Sequence, residues 1–321
     1  MSFEKQWRRT DRGTDDLERF RKAGNQMFWV RLRSGIILVI LALFTMFSGG
    51  KILLATMTFL SVVAYCELTG ATGVKKKEKQ NVPQKKWKKN GLEIVGILNI
   101  ILYYILLLLN VEMGILSVQT GILFSLICVF MCGMFVYVFG FPKFRASQVM
   151  AAFFSFFYGP VCLSFIYLTR ELGRDAAGDG SVIGLYIVWL ILLSSWGCDT
   201  CAYCVGMLIG KHKMSPVLSP KKSVEGAVGG VVGAGLLGAL YGLIVKEKIA
   251  DERVVLFFAV ICGVGALISM VGDLAASAIK RNAGIKDYGK LIPGHGGVMD
   301  RFDSVIFTAP VIYFMAVMLL T

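Results

Sequence analysis

Charged residues are scarce in this chain of 321 residues, because Asp, Glu, Lys and Arg together make up only 17% of it and there are 2 His. The hydrophobic fraction is 56% and the mean hydropathy is +0.67. A soluble core needs no such apolar excess. The composition therefore argues against a large soluble domain and predicts an all-α, polytopic integral membrane protein.

Nine apolar stretches approach or exceed the roughly 20 residues that a helix needs to cross about 30 Å of hydrocarbon. The first is short unless Arg31 and Arg33 extend toward the lipid headgroups. The sequence thus predicts about nine transmembrane helices, near 30–48, 51–69, 92–110, 114–140, 148–168, 182–209, 225–245, 254–279 and 304–320. No cleavable signal peptide is visible, since the first apolar run starts late and lacks an A-x-A exit.

The formal net charge of +13 is unevenly placed. Basic residues occupy the N-terminal arm and every second loop, which predicts a cytoplasmic N-terminus and an outside C-terminus by the positive-inside rule. No aromatic or groove-reading residues alternate with these lysines, so no nucleic-acid partner is expected. The Lys-rich loop 75–89 is interpreted as a surface facing anionic membrane lipids.

The sequence also lacks a complete four-cysteine motif of the kind that binds an iron–sulfur cluster in ferredoxins. The stretch CDTCAYC places Cys198, Cys201 and Cys204 at metal-like spacing, but Leu208 stands where a fourth cysteine would be needed. We favour small residues on a helix-packing face. The glycine-rich stretch GAVGGVVGAGLLGALYG likewise predicts close helix packing through its G-x-x-x-G repeats, rather than a cofactor site.

Carboxylates inside the apolar spans concentrate in the last third of the chain. At 1.5 Å per residue, Asp199 lies about 25 Å along the sixth span and Asp273 about 28 Å along the eighth. Asp300 and Asp303 open the ninth span from the same, predicted cytoplasmic side. Ionisable residues at such depths are functional candidates by default.

The helical period adds polar residues to these faces. Asp273 shares one face with Ser277, Lys280 and Arg281, and Tyr203 follows the sixth-span carboxylate by one turn. The alternative is that Asp273 only bridges to Lys280 or Arg281 in packing. That alternative leaves the other three aspartates unexplained.

The stretch SPKKSVEG, residues 219–226, is a loop that leads into the seventh helix and suits phosphate. Its hydroxyls, cations and free backbone N–H groups would form a cradle at a helix N-terminus; the residues concerned are Ser219, Lys221, Lys222 and Ser223. Alternatively, Ser223 only caps the helix, with Glu225 in its first turn.

The densest polar stretch is PGHGGVMDRFD, which precedes the last apolar run. Its glycines allow close approach of the backbone to a ligand. Asp300 and Asp303 share a helix face and offer hard oxygens for Mg²⁺, while His295 and Arg301 can contact phosphate oxygens. A helix cap is the alternative for Asp303. Paired carboxylates that bind Mg²⁺, with cations around them, indicate an enzyme of phosphoryl or nucleotidyl transfer. The sequence has no Ser-His-Asp or Cys-His arrangement that would suggest a covalent enzyme intermediate.

The segment SAIKRNAGIKDYGKLIPGHGGVMDRFD, residues 277–303, resembles the signature of phosphatidate cytidylyltransferases, also called CDP-diacylglycerol synthases. The D-x-x-A-Y-x-x-G tract from Asp199 and the SPKKSVEG stretch resemble other shared segments of that family. The resemblance covers residues 180–320. With the apolar runs and the charge pattern, it divides the chain into an N-terminal basic arm 1–29, an N-terminal transmembrane region 30–180 with the Lys-rich loop in 70–91, and a C-terminal catalytic region 181–321.

This resemblance implies the reaction of CTP with phosphatidate in a Mg²⁺-dependent, membrane-embedded site. Asp273, Asp300 and Asp303 would hold the metal. The implied catalytic residues are Lys221, Lys222, Lys280, Arg281, His295 and Arg301. The implied substrate-binding residues are Asp199, Tyr203, Ser219, Ser223, Glu225, Ser277, Lys286, Asp287, Gly296 and Gly297. A second, monovalent cation and a homodimer are left open, and a bacterial inner (plasma) membrane is the expected location.

Three rival functions stay open at this point. Another CTP-using membrane enzyme, such as a polyprenol kinase or an archaeal-type CDP-lipid synthase, would share the nucleotide chemistry and differ in the lipid acceptor. A transporter also has intramembrane carboxylates, but near the membrane midplane rather than at one interface. A non-catalytic scaffold would not need so many converging titratable groups.

Overall fold

A computed structural model describes residues 29, 32–74, 90–113, 117–173, 183–249, 251–294 and 296–320. Within these ranges the chain forms a helical bundle with one short β-hairpin. The N-terminal arm, the Lys-rich loop 75–89 and His295 lie outside the described residues. The predictions made for them therefore stay predictions.

The helices are numbered in chain order. Their bounds are α1 Leu32–Ser48, α2 Gly50–Ala71, α3 Gly91–Met113, α4 Val118–Phe139, α5 Ala146–Phe156, α6 Cys162–Arg170, α7 Ile183–Leu192, α8 Cys198–Ile209, α9 Val224–Ile249, α10 Val254–Ala283 and α11 Met299–Leu320. A π-helical turn at Phe157–Val161 joins α5 to α6, and another at Leu193–Gly197 joins α7 to α8. The strands β1 (Lys213–Ser215) and β2 (Ser219–Ser223) pair antiparallel.

Eight helical segments among the described residues are long and apolar enough to cross a membrane, with α5–α6 and α7–α8 each counted as one. They match the second to ninth predicted spans. The first predicted span is α1, an apolar helix that is shorter than the other eight. The all-α, polytopic architecture is therefore confirmed.

The SPKKS stretch is not the loop that the sequence suggests. It forms β2 and pairs with β1 in the connection between α8 and α9. The Val224 backbone N–H also donates to the His212 carbonyl oxygen at 2.9 Å, so the hairpin runs directly into α9. A strand this short is hard to predict from its own sequence, because pairing with β1 determines its conformation.

Long-range hydrogen bonds show which helix ends lie together. The Ser34 hydroxyl near the start of α1 donates to the Pro293 carbonyl oxygen at 3.0 Å, just before α11. The carboxylate of Glu67, near the end of α2, accepts the backbone N–H groups of Val298 and Met299. We call this the site end of the bundle. The first and last helices thus both begin there.

The opposite end, called the far end, is tied by two charged residues at the end of α6. The Arg170 guanidinium donates to the Met46 carbonyl oxygen at 2.9 Å, near the end of α1. The Glu171 carboxylate accepts the Gly50 N–H at 2.8 Å, at the start of α2. Both charges therefore satisfy backbone groups that helix termini leave unpaired.

Glycines on α9 let it approach its neighbours closely, as the G-x-x-x-G pattern predicts. A Cβ at Gly238 would lie 2.5 Å from the Phe258 carbonyl oxygen on α10, and one at Gly230 would lie 3.0 Å from the Cys198 carbonyl oxygen on α8. Cys198 is buried here and Cys201 packs against Gly233 of α9, which confirms packing for these two. Cys204 is exposed, so the packing role is wrong for it.

A first prediction concerns which end of the bundle faces the cytoplasm. The basic residues of the hairpin and of the connection between α10 and α11 lie at the site end. We therefore expect the site end to face the cytoplasm. A reporter fused after Thr321 should then be active only outside the cytoplasm, and cytoplasmic activity of that fusion would overturn this orientation.

Candidate functional site

The site begins where the hairpin meets α8 and α10. Lys222 on β2 forms an ion pair with Asp273 on α10, and both side chains are about a quarter exposed, at 27% and 25%. The charge of Asp199 on α8 interacts with both of them. The expected alternative, a packing bridge from Asp273 to Lys280 or Arg281, is therefore wrong in its partner, because Lys222 occupies that position.

Lys280 instead turns toward α11. Its ammonium lies 3.1 Å from a carboxylate oxygen of Asp300 and 3.9 Å from one of Asp303. The three side chains are 15%, 6% and 14% exposed. Since charges this poorly solvated need partners, Lys280 offsets part of the negative charge that the two aspartates bring to the start of α11.

The two groups form one cluster because α10 and α11 cross closely between them. A Cβ at Gly272, next to Asp273, would lie 3.0 Å from the Asp303 carbonyl oxygen. The charge of Asp303 interacts with those of Asp273 and Asp199. We call Asp199, Asp273, Asp300 and Asp303 the carboxylate cluster. The structure thus places at one end of the bundle the four aspartates that the sequence assigned to one membrane interface.

Asp300 is largely committed to the loop that precedes α11. One carboxylate oxygen accepts the Tyr288 N–H at 2.8 Å and the Gly297 N–H at 2.9 Å, and the other accepts from Lys280. These bonds hold the backbone on both sides of the stretch 290–296 to the first turn of α11. The cap expected as an alternative for Asp303 is wrong, because α11 begins at Met299 and Asp303 lies in its second turn.

Glu67 is a site residue that the sequence interpretation missed. Its carboxylate accepts the Val298 N–H at 3.1 Å and the Met299 N–H at 2.9 Å, across more than half of the chain. A side chain at Gly289 or Gly297 would overlap this carboxylate. The available signal was a single carboxylate within the second apolar span, since an ionisable residue there is a functional candidate by default.

Tyr288 completes the support of the same loop. Its hydroxyl donates to the Ala276 carbonyl oxygen on α10 at 2.9 Å, and the Lys280 ammonium lies 5.4 Å from its ring centroid. Burial raises the pKa of the Tyr288 phenol, so the group stays a neutral donor. Tyr288 and Glu67 therefore fix the position of Asp300 from two directions.

The hairpin has its own internal support. The Ser223 hydroxyl accepts the Gly226 N–H at 3.2 Å, which confirms the cap alternative for Ser223. The Glu225 carboxylate accepts the N–H groups of Lys211 and His212 at 3.1 and 3.2 Å, and it pairs with the His212 ring nitrogen at 2.5 Å. Glu225 thus stabilises the hairpin, and substrate contact by it stays a prediction.

The remaining predicted residues lie on the hairpin, on α8, α10 and α11, or in the connection between α10 and α11. Tyr203 is 65% exposed on α8. Ser219, Ser277 and Gly296 are half-buried and Gly297 is buried. Five charged residues are exposed near the site end: Lys221, Arg281, Lys286, Asp287 and Arg301.

Similarity to known proteins places the chain in one family. The profile described as "Cytidylyltransferase family" matches residues 29–319, which includes the N-terminal helices as well as the carboxylate cluster. Three similar curated proteins are all named phosphatidate cytidylyltransferase. They come from Staphylococcus saprophyticus (35% identity over 170 residues), Synechocystis sp. (41% over 137) and Thermotoga maritima (41% over 126).

These matches are partial in both directions. They cover 53%, 43% and 39% of this chain, and 60%, 45% and 46% of the three relatives respectively. The chain thus matches about half the length of these curated relatives.

Proposed function

The chain belongs to the cytidylyltransferase family, and we propose that it acts as a phosphatidate cytidylyltransferase, converting CTP and phosphatidate into CDP-diacylglycerol and pyrophosphate. The observation that carries the proposal is the carboxylate cluster with its two lysines, built by the hairpin, α8, α10 and α11 at one end of a membrane bundle. The names of the similar curated proteins support the same reaction.

The surface beside the cluster suits a lipid substrate. On α8, Asp199, Tyr203 and Met207 follow one another by one helical turn, and all three are exposed. The neighbouring Leu208 is 82% exposed. A lipid phosphate at the cluster could therefore keep its acyl chains on the apolar surface of α8.

The residues fit Mg²⁺ through the chemistry of their donor atoms. Carboxylate oxygens are the hard ligands that Mg²⁺ prefers. Among the described residues, no three His, Cys, Asp or Glu side chains are placed so that they could hold a metal ion by themselves. The proposal therefore requires the mode in which one or two carboxylates bind Mg²⁺ together with substrate phosphates and water.

Asp273 is the first candidate ligand, with Asp199 and Asp303 beside it. Asp300 is proposed to act mainly through the loop that it holds, because both of its carboxylate oxygens already accept hydrogen bonds. When bound, Mg²⁺ would offset the negative charge of the two substrates' phosphates.

In the proposed reaction, an oxygen of the phosphatidate phosphate attacks the α-phosphorus of CTP. The bond from that phosphorus to the bridging oxygen of the β-phosphate breaks, and pyrophosphate leaves. Lys222 and Lys280 would orient phosphate oxygens and stabilise the charge that develops on the leaving group. The exposed cations Lys221, Arg281 and Arg301 would attract the nucleotide to the site.

The test is product identification. The full chain, purified in detergent, is incubated with CTP, Mg²⁺ and either phosphatidate or a polyprenol, and the lipids are identified by mass spectrometry. We expect CDP-diacylglycerol from phosphatidate and no modified polyprenol. A polyprenyl phosphate as the sole product would instead assign the chain to a lipid kinase function.

A further inference from the structure

Tyr158 is a buried polar residue that the proposed reaction has not yet used. It is 6% exposed, and its hydroxyl has no hydrogen-bond partner among the residues that the structure describes. It lies in the π-helical turn Phe157–Val161. Such turns within α-helices occur frequently at functional sites.

The ring of Tyr158 is held in place on two sides. It stacks on Phe154, with the centroids 5.3 Å apart, and meets Phe307 edge to face at 5.7 Å. The next residue, Gly159, packs against α2, since a Cβ there would lie 3.2 Å from a methyl group of Leu68. The hydroxyl therefore has little freedom to find a partner elsewhere.

This packing places the phenol next to the carboxylate cluster. Phe307 follows Asp303 by one helical turn and shares its face of α11. A Cβ at Gly272, the neighbour of Asp273, would lie 2.9 Å from the Phe307 Cβ. Asp303 and Asp273 are therefore the carboxylates nearest to the phenol through this packing.

A buried hydroxyl without a partner is unfavourable, and few occur in native proteins. The aspartates lie near Tyr158 but do not accept its proton in a hydrogen bond. An acceptor that reaches the hydroxyl would complete the arrangement. In the proposed reaction the group that enters is a phosphate, which offers acceptor oxygens and no donor when ionised.

We propose that the Tyr158 hydroxyl donates a hydrogen bond to a phosphate oxygen of the substrates bound at the carboxylate cluster. This inference rests on the proposed function, and it adds a contacting residue from the N-terminal half of the chain. The phosphate could belong to CTP or to phosphatidate, and steady-state kinetics with each substrate varied in turn distinguish the two.

The test is Tyr158→Phe, which keeps the ring and removes the hydroxyl. We expect kcat/KM to fall by about tenfold to a hundredfold, because a hydrogen bond to a charged group is lost. The melting temperature of the substrate-free protein should stay the same or rise, because no native hydrogen bond is removed. A rise of KM for only one substrate would identify the phosphate that is bound, and a fall confined to kcat would place the contact in the transition state.

Tyr103→Phe is the matched control. Tyr103 is fully buried, but its hydroxyl lies 2.6 Å from that of Ser164, so the variant should melt lower and keep normal kcat/KM. Unchanged kcat/KM in Tyr158→Phe would overturn the inference, as would a lower melting temperature together with lost activity. Failure of the wild-type protein to convert phosphatidate would contradict the proposed function itself, whatever the variant does.

Discussion

Asp273→Asn should lower turnover at saturating CTP and phosphatidate by about a thousandfold or more, while the melting temperature changes little. Several kcal/mol of transition-state stabilisation would be lost with a metal ligand, and each ~1.36 kcal/mol is tenfold in rate. Folding should tolerate the change, because Lys222, which loses its partner, is partly exposed. The measurements are CTP turnover across a Mg²⁺ titration and the melting temperature.

Asp251→Asn is the matched control for this substitution. Asp251 precedes α10 at the far end, where the backbone N–H of Arg253 lowers the pKa of its carboxyl group. This variant should keep normal turnover and normal Mg²⁺ dependence. If Asp273→Asn were stable and nearly as active as wild type, with unchanged Mg²⁺ dependence, Asp273 would not be a metal ligand. An unfolded Asp273→Asn protein would support a purely structural ion pair.

Glu67→Gln should lower turnover by about a hundredfold and also lower the melting temperature. The carboxylate accepts two backbone N–H groups, whereas an amide has one oxygen to accept and would turn an NH₂ group toward the second donor. Leaving a buried donor unpaired costs ~1–3 kcal/mol. The loop that positions Asp300 would move, so that activity falls although Glu67 touches no substrate.

A double-mutant cycle tests whether Glu67 acts through the glycines around it. Gly297→Ala alone should be destabilising, because the new methyl group would displace the Glu67 carboxylate from the Val298 and Met299 N–H groups that it accepts. In a Glu67→Ala background the same change should cost much less. Gly263→Ala serves as the control, since a Cβ there meets no heavy atom within 4 Å. If the changes in the free energy of unfolding caused by the two substitutions were additive, the carboxylate and the glycine would not be coupled.

The fold class and the grouping of the candidate aspartates were predictable from the sequence because both leave local signals. Apolar runs set the spans. Distance along the sixth and eighth spans placed Asp199 and Asp273 at the same interface as Asp300 and Asp303, which open the ninth span. The pairing of the lysines was not predictable in the same way. Helical phase puts Asp273 and Lys280 on one face, but α11 and the hairpin supply closer partners to each of them.

Other features depend on contacts between distant parts of the chain. Glu67 reaches a loop more than 200 positions later, and nothing beyond its isolation in an apolar span indicates a role. The orientation of Tyr158 follows from a π-helical turn that no periodic pattern predicts. The strand β2 exists only because β1 pairs with it. These features required the tertiary structure.

The most direct measurement of the central claim follows phosphorus from CTP labelled at either its α- or its γ-position into the lipid fraction, with phosphatidate as the acceptor. Cytidylyl transfer at the carboxylate cluster predicts that the α-label enters the lipid and the γ-label leaves as pyrophosphate, and that Asp273→Asn prevents both. Appearance of the γ-label in the lipid, or unchanged transfer of the α-label by Asp273→Asn, would contradict the account.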